Sequence, residues 1–335
     1  MRSLNSILCV LLFLAGLVGT ALFIGRKLPS PYVVSVSEKI RWLQKHGDQY
    51  DTLFIGSSRV NRHIRADLFD EAMAAAGHPT RSFNLGVNGM CAPEDTYVLE
   101  AALAKRKKPL KNVVVEYSAI PIESASDRGA ETIRKSYWLD PKRFQSVMRR
   151  LWTLTPREIA VSNRWDSFTY ATRRFVSREL NLGRGLKIVQ ARFEKSPKSL
   201  KQTFQGEWQG YEVLRQKPLA SSQWKIFQER VADLAQTPAT SDYGSSADLR
   251  ELAEKRRLIE SFGGRMIVYI PPLAYRRNYA PDPKLMGDVP VMDFSNPKLY
   301  PDFYDRKLLA DINHFNDTGA ELFTKEFAQQ FLLLK

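Results

Sequence analysis

The run Thr52-Leu53-Phe54-Ile55-Gly56-Ser57-Ser58-Arg59 constrains the fold most. Four residues of strand character stop at a glycine followed by two hydroxyls. A buried strand reads this way when it delivers a polar group to the rim of a sheet. The same grammar recurs downstream. A helix is predicted over 66–76 and closed by Gly77. A second strand over 82–85 runs into Gly86-Val87-Asn88-Gly89, and a helix follows from Pro93 to about residue 106. A third strand is expected over 112–117. Three strand–helix units in series predict a parallel α/β sheet.

The alternation lapses between 123 and 245. Residues 123–235 hold 22 Lys and Arg against 12 Asp and Glu, so most of the chain's net charge of +14 lies there. Tyr137, Trp138, Trp152, Trp165, Tyr170, Trp208 and Trp224 crowd the same stretch. A largely helical insertion on the sheet is expected. Most of its aromatics are read as its own small core, with a platform for sugar rings and anionic groups as the other reading. Beyond it, a helix is predicted over 248–262, strands over 265–270 and 289–294, and a final amphipathic helix over 317–333 with Asp317 or Thr318 near its cap.

No charge occurs between Arg2 and Arg26, and Ile7 to Ile24 is almost wholly apolar. Such a run spans a bilayer core of ~30 Å. A cleaved signal peptide is the rival reading, since Gly19-Thr20-Ala21 supplies small residues. The uninterrupted Ala21-Leu22-Phe23-Ile24 favours an anchor that stays. The expected division is therefore an anchor (1–28), a juxtamembrane connector (29–50), the first part of an α/β domain (51–122), the basic insertion (123–245) and the second part of the domain (246–335). The domain is expected on the outer face of a bacterial-type inner membrane. The basic residues are scattered rather than gathered in a stripe, which argues against nucleic acid and suits a membrane surface or charged glycans. Cys9 and Cys91 offer no disulfide within the domain, and no Cys/His spacing suits a metal.

Near the C-terminus lies Asp311-Ile312-Asn313-His314, just before the last helix. A carboxylate three residues before a histidine can hold one ring nitrogen and leave the other free to take a proton from a serine. In a doubly wound sheet, the C-terminal end of the first strand and a late loop lie on the same rim. Ser58 is thereby the candidate nucleophile, His314 the base and Asp311 its orienter. Asn84-Leu85-Gly86-Val87-Asn88-Gly89 offers backbone amides to an oxyanion. Asn84 is equally suited to bracing that turn. Arg59 could meet an anionic substrate, although a surface salt bridge suits it better. His63 is expected to pack rather than act.

Gly56-Ser57-Ser58 after the first strand, Asn-x-Gly-x-x-Gly after the second and Asp-x-x-His before the last helix resemble the SGNH (GDSL-like) hydrolase superfamily. More narrowly, they are similar to its membrane-anchored bacterial branch in cell-envelope acyl transfer, such as the alginate O-acetylation and teichoic-acid D-alanylation proteins. The likeness covers roughly 50–120 and 245–335. It implies a flavodoxin-like three-layer sheet, Ser58 as nucleophile, His314 as base, Asp311 as its orienter, and an oxyanion site built from the amides of Ser58 and Gly89; Asn84, Asn88 and Arg59 are further candidates for the substrate side. It implies no metal or organic cofactor. The implied activity is serine-dependent O-acyl transfer, acetyl foremost, or ester hydrolysis on an exported polysaccharide. A multi-span membrane acyltransferase is the implied acyl donor. The third block departs from the family pattern. Strand three ends Glu116-Tyr117-Ser118 where most members bring an Asn to the oxyanion; either Ser118 donates in its place or the hole has two donors. A degenerate relative that binds polysaccharide without turning it over is the alternative that this gap leaves open.

Overall fold

The computed structural model describes residues 2–27, 33–117, 133–155, 159–182, 184, 209–214, 221–236, 246–272 and 286–334. In chain order they form α1 (Arg2–Lys27), α2 (Val34–His46), β1 (Thr52–Ile55), α3 (Ser58–His63), α4 (Ala66–Ala75), β2 (Ser82–Asn84), α5 (Glu94–Leu103), β3 (Asn112–Glu116), α6 (Ile133–Ser136), α7 (Pro141–Thr153) and α8 (Val161–Glu179). The helices Ser221–Gln236 and Ser246–Ser261 come next, then β4 (Arg265–Ile270), β5 (Val291–Asp293), β6 (Leu309–Asp311), β7 (His314–Phe315) and a last helix, Asp317–Leu332.

β1 to β5 form one parallel sheet in the order 2-1-3-4-5. The expected strands are all present, each within two residues of the expected bounds. Register is tight: Thr52 pairs with Ser82 and Asn112, and Asn112 with Arg265. Their C-terminal ends therefore share one rim, where Ile55, Asn84, Glu116, Ile270 and Asp293 end their strands.

Strand alternation decides the core. Phe54, Val114, Ile267, Tyr269 and Met292 belong to one cluster with Phe69 and Met73 of α4 and with Phe323, Phe327 and Phe331 of the last helix. Those three phenylalanines recur every four residues, the spacing of one helical face. Phe327 meets Phe54 and Phe69 edge to face. Leu53, Ile55, Val113, Val115 and Val268 are equally buried and point the other way, so the sheet is covered on both sides. α5 and helix Ser246–Ser261 are tied by a buried pair, Lys255 Nζ to Asp95 Oδ2 at 2.6 Å.

The chain divides into two compact units, one of Glu38–Pro121 with Lys198–Lys335, the other of Met1–Ser37 with Ile122–Pro197. Of the stretch expected as an insertion over 123–245, the second unit takes in residues up to Pro197. Tyr211 and Phe227 are buried in the main core cluster with Phe294 and Phe323, and the Tyr211 hydroxyl donates to Asp317 Oδ1 at 3.2 Å.

In the other unit, α1 is long and apolar enough to cross a membrane. Its Leu4, Leu12 and Phe13 are exposed. Asn181 Nδ2 donates to Ala21 O at 2.8 Å, tying the end of α8 to α1. α7 and α8 pack through stacked Phe144 and Phe175 and through Leu151, Leu154 and Ile159. Tyr137, Trp138 and Tyr170 are buried, and the Arg174 guanidinium lies over the rings of Trp138 and Tyr170. Trp152 and Trp165 are exposed. Of the crowded aromatics, Trp208 lies outside the described residues.

Candidate active site

β1 ends at Ile55, and Gly56 turns the chain into α3. A Cβ on Gly56 would sit 2.4 Å from Glu116 Cβ and 2.6 Å from Val60 Cγ2, so only glycine passes here. The two hydroxyls then take different tasks. Ser57 is the N-cap of α3 and accepts from Arg59 N. Its own hydroxyl donates to Glu116 Oε1 at 2.8 Å, and its amide to Glu116 Oε2 at 2.5 Å. Ser58, the first helical residue, is left partly open to solvent.

Its partner arrives from the other end of the chain. β6 and β7 form a small antiparallel hairpin in which Asp311 pairs with His314, and β7 runs against α3. Expected as a loop, this stretch is a hairpin. The cap of the following helix is Asn316, one residue before Asp317: its Oδ1 accepts from Gly319 N at 2.9 Å, and its Nδ2 donates to Lys307 O. That double hold fixes the chain two residues beyond His314.

Ser58 Oγ lies 2.7 Å from His314 Nε2. His314 Nδ1 lies 2.9 Å from each oxygen of Asp311. A carboxylate only accepts, so Nδ1 carries the proton and Nε2 is the acceptor that faces Ser58. Burial on its own would raise the Asp311 carboxyl. The hydrogen bonds from the His314 ring and the Asn313 amide outweigh it, and the carboxyl sits below its ordinary value. Asp311 is therefore ionised throughout the range in which a histidine works as a base.

His63, at the end of α3, is buried against Phe315, and its Nε2 accepts from Phe315 N at 3.3 Å. Burial first, then the neighbouring His314, Arg59 and Arg62, hold it well below its ordinary value, so it stays neutral. It packs, as expected.

The remaining candidates divide. Asn84 is fully buried. Its Nδ2 donates to Val60 O and Ile64 O, both at 2.7 Å, and its Oδ1 accepts from Gly86 N. Every side-chain group is engaged, so it braces the turn and is not a substrate contact. Arg59 is no surface salt bridge: its Nη1 lies 3.3 Å from Glu116 Oε1, with side chains 12% and 1% exposed. Asn88 is exposed and donates to Glu212 Oε2 at 3.2 Å. Gly89 is exposed with φ +70, a conformation that favours glycine. Among the described residues, the amides of Ser58 and Gly89 have no acceptor. Ser118 lies outside the described residues. Also among those residues, no group of His, Cys, Asp and Glu is placed to hold a metal ion.

Two residues of the site escaped the sequence. Glu116 ends an apolar strand, and its carboxylate sits beneath the Ser57 turn. A charge closing a buried run was the available signal. Lys39 reaches the same rim from α2, and nothing in its neighbourhood distinguishes it from a solvated helix lysine. Compared with models of known protein families and with curated proteins, the chain matches none.

Proposed function

We propose that this protein is a serine-dependent O-acyl transferase or esterase of SGNH type, anchored in the inner membrane and acting outside it on a cell-envelope or exported polysaccharide. The observation that carries the reading is the unbroken chain from Ser58 Oγ through His314 to Asp311. Three supports stand beside it. The order 2-1-3-4-5 is that of flavodoxin-like sheets, whose ligands bind at the C-terminal rim. The serine stands on a tight strand-to-helix turn, and its own amide and that of Gly89 have no acceptor among the described residues. The hold of Asn181 on Ala21 suits an anchor that stays with the chain.

The chemistry follows from the geometry. Ser58 Oγ attacks the carbonyl carbon of an ester or thioester while His314 Nε2 takes its proton. Asp311 stabilises the imidazolium and keeps its tautomer. The amides of Ser58 and Gly89 receive the oxyanion. Collapse of the tetrahedral species expels the donor's alcohol or thiol, which leaves with the proton from His314. The same nitrogen then deprotonates a sugar hydroxyl, or water, to release the acyl group. No metal or organic cofactor enters these steps. The acyl donor reaches the site from outside this chain, and a multi-span membrane acyltransferase is the partner of choice.

The non-catalytic alternative has the exposed Trp152 and Trp165 of the basic unit in its favour. It offers no account of a histidine held in one tautomer 2.7 Å from a serine. A serine-directed fluorophosphonate separates the two. The wild-type protein should be modified once, on the peptide containing Ser58, with the rate falling at least about 100-fold in His314→Ala. Absence of label on Ser58 counts against the catalytic reading.

A further inference from the structure

Lys39 is 5% exposed, an unusual place for a lysine. Its Nζ donates to four oxygens: Asn61 Oδ1 at 2.8 Å, Asn84 O at 3.0 Å, Gly86 O at 2.6 Å and Gly210 O at 2.8 Å. An ammonium has three protons, so the cage more than saturates it. None of the four acceptors is a carboxylate.

Those oxygens belong to three separate segments. Asn61 lies on α3, one turn beyond Ser58. Asn84 and Gly86 begin the loop that ends in Gly89. Gly210 precedes Glu212. The cage continues outward. Asn61 Nδ2 donates to Asn88 Oδ1 at 3.1 Å and to Glu212 Oε2 at 2.7 Å, and Asn88 Nδ2 donates to the same carboxylate oxygen. Arg62 Nη2 pairs with Glu212 Oε1 at 3.3 Å. Val87 N donates to Gly56 O at 3.0 Å, which ties the loop to the strand end that leads into Ser58.

We propose that Lys39 is a positioning residue, whose ammonium holds the 84–89 loop against the Ser58 helix and so sets where the Gly89 amide points. The inference rests on the reading of Ser58 as nucleophile and Gly89 as oxyanion donor. The physical reason is economy of donors. Backbone carbonyls that converge from a loop and a neighbouring segment repel one another, and each needs a donor when buried. One cation on a separate helix satisfies all of them at once, while the Gly89 amide has no acceptor among the described residues.

Burial pulls the Lys39 ammonium down to about 7, with Glu212 opposing. The charged groups that face the cage are Glu212 and Arg62. His63, on the same helix as Asn61, is neutral. On α2 itself, Glu38 and Arg41 pair with each other away from it. The cation that holds the loop is therefore lost as pH rises through that range.

The test uses the full chain in detergent, with an activated acetyl ester as probe. Lys39→Met removes every donor. Lys39→Gln keeps two donors without the charge and disturbs the fold less. Two results are expected of both variants, and a third of Lys39→Gln. Amide hydrogen exchange over 84–90 rises about tenfold or more while β1 and β3 stay protected. kcat falls about 10²–10³-fold, the loss typical of an oxyanion donor, with KM changed less than about threefold. Finally, the falling limb of the wild-type kcat/KM profile above neutral pH is absent from Lys39→Gln. Unchanged exchange over 84–90 overturns the proposal. So does raised exchange with undiminished kcat, or a Lys39→Gln pH profile that coincides with wild type. Should wild type neither turn over nor label at Ser58, the acyl-transfer reading falls, and the exchange comparison then decides alone whether Lys39 holds the loop.

Discussion

Ser58→Ala lowers turnover of an activated acetyl ester by about 10⁴–10⁶-fold, the scale on which serine nucleophiles are lost. The fold survives, because Ser58 is only partly buried and its side chain gives up a single bond, to His314. A lone hydrogen bond of that kind is worth about 1 kcal/mol. The loss therefore appears in kcat with the unfolding midpoint nearly unchanged. On the proposed mechanism Ser58 and His314 act as one unit, so His314→Ala in the Ser58→Ala background should add little. Initial rates measured beside urea titrations of the same samples check both halves. Equal rates for wild type and Ser58→Ala would assign the activity elsewhere. Ser57→Ala is the matched comparison. Its hydroxyl serves Glu116 and the helix cap, so its cost falls on stability first, about 0.5–2 kcal/mol.

Glu116→Ala has the second large effect, and on both properties. The carboxylate is buried and takes the Ser57 amide, the Ser57 hydroxyl and the Arg59 guanidinium. Removing it strands an amide and a cation in a poorly solvated turn. Deleting one partner of such a pair costs about 3–5 kcal/mol, against a total stability of about 5–15 kcal/mol for a domain. The turn it holds is the one that aims Ser58 at His314, so ester turnover falls by more than the folded fraction does. Glu116→Gln keeps the shape but sets an NH₂ or one neutral oxygen against two donors, and lies between. Urea unfolding and phosphonate labelling rate, measured on both variants, check the order wild type, Gln, Ala. A Glu116→Ala protein that labels at the wild-type rate would separate this carboxylate from the site.

The difference between what the sequence disclosed and what it hid has a physical basis. Thr52–Ile55 and Arg265–Ile270 were legible because a strand buried on both faces must be a continuous apolar run. The last helix was legible because Phe323, Phe327 and Phe331 repeat at its period. Ser58, Asp311 and His314 were reachable because each sits where a periodic element stops, and parallel strands bring such stops to one rim. Glu116 and Lys39 were not. Each makes its contacts with segments remote in the chain, and no local pattern marks a charge whose counterpart is a set of backbone groups. Asn84 shows an intermediate case: the sequence suits it equally to bracing the turn and to meeting substrate, and its amide is spent on Val60, Ile64 and Gly86. Tyr211 and Phe227 are a related case. They carry no periodic signal that says which core they enter.

The central claim is that Ser58 carries the acyl group between donor and acceptor. Rapid quench in acid during the first turnovers of an activated acetyl ester, followed by mass spectrometry of the peptide containing Ser58, tests it most directly. The expected result is one acetyl group on Ser58, formed before steady state, absent from His314→Ala and discharged on addition of an acceptor alcohol. Turnover without any acyl group on Ser58, or with one on another residue, would contradict it.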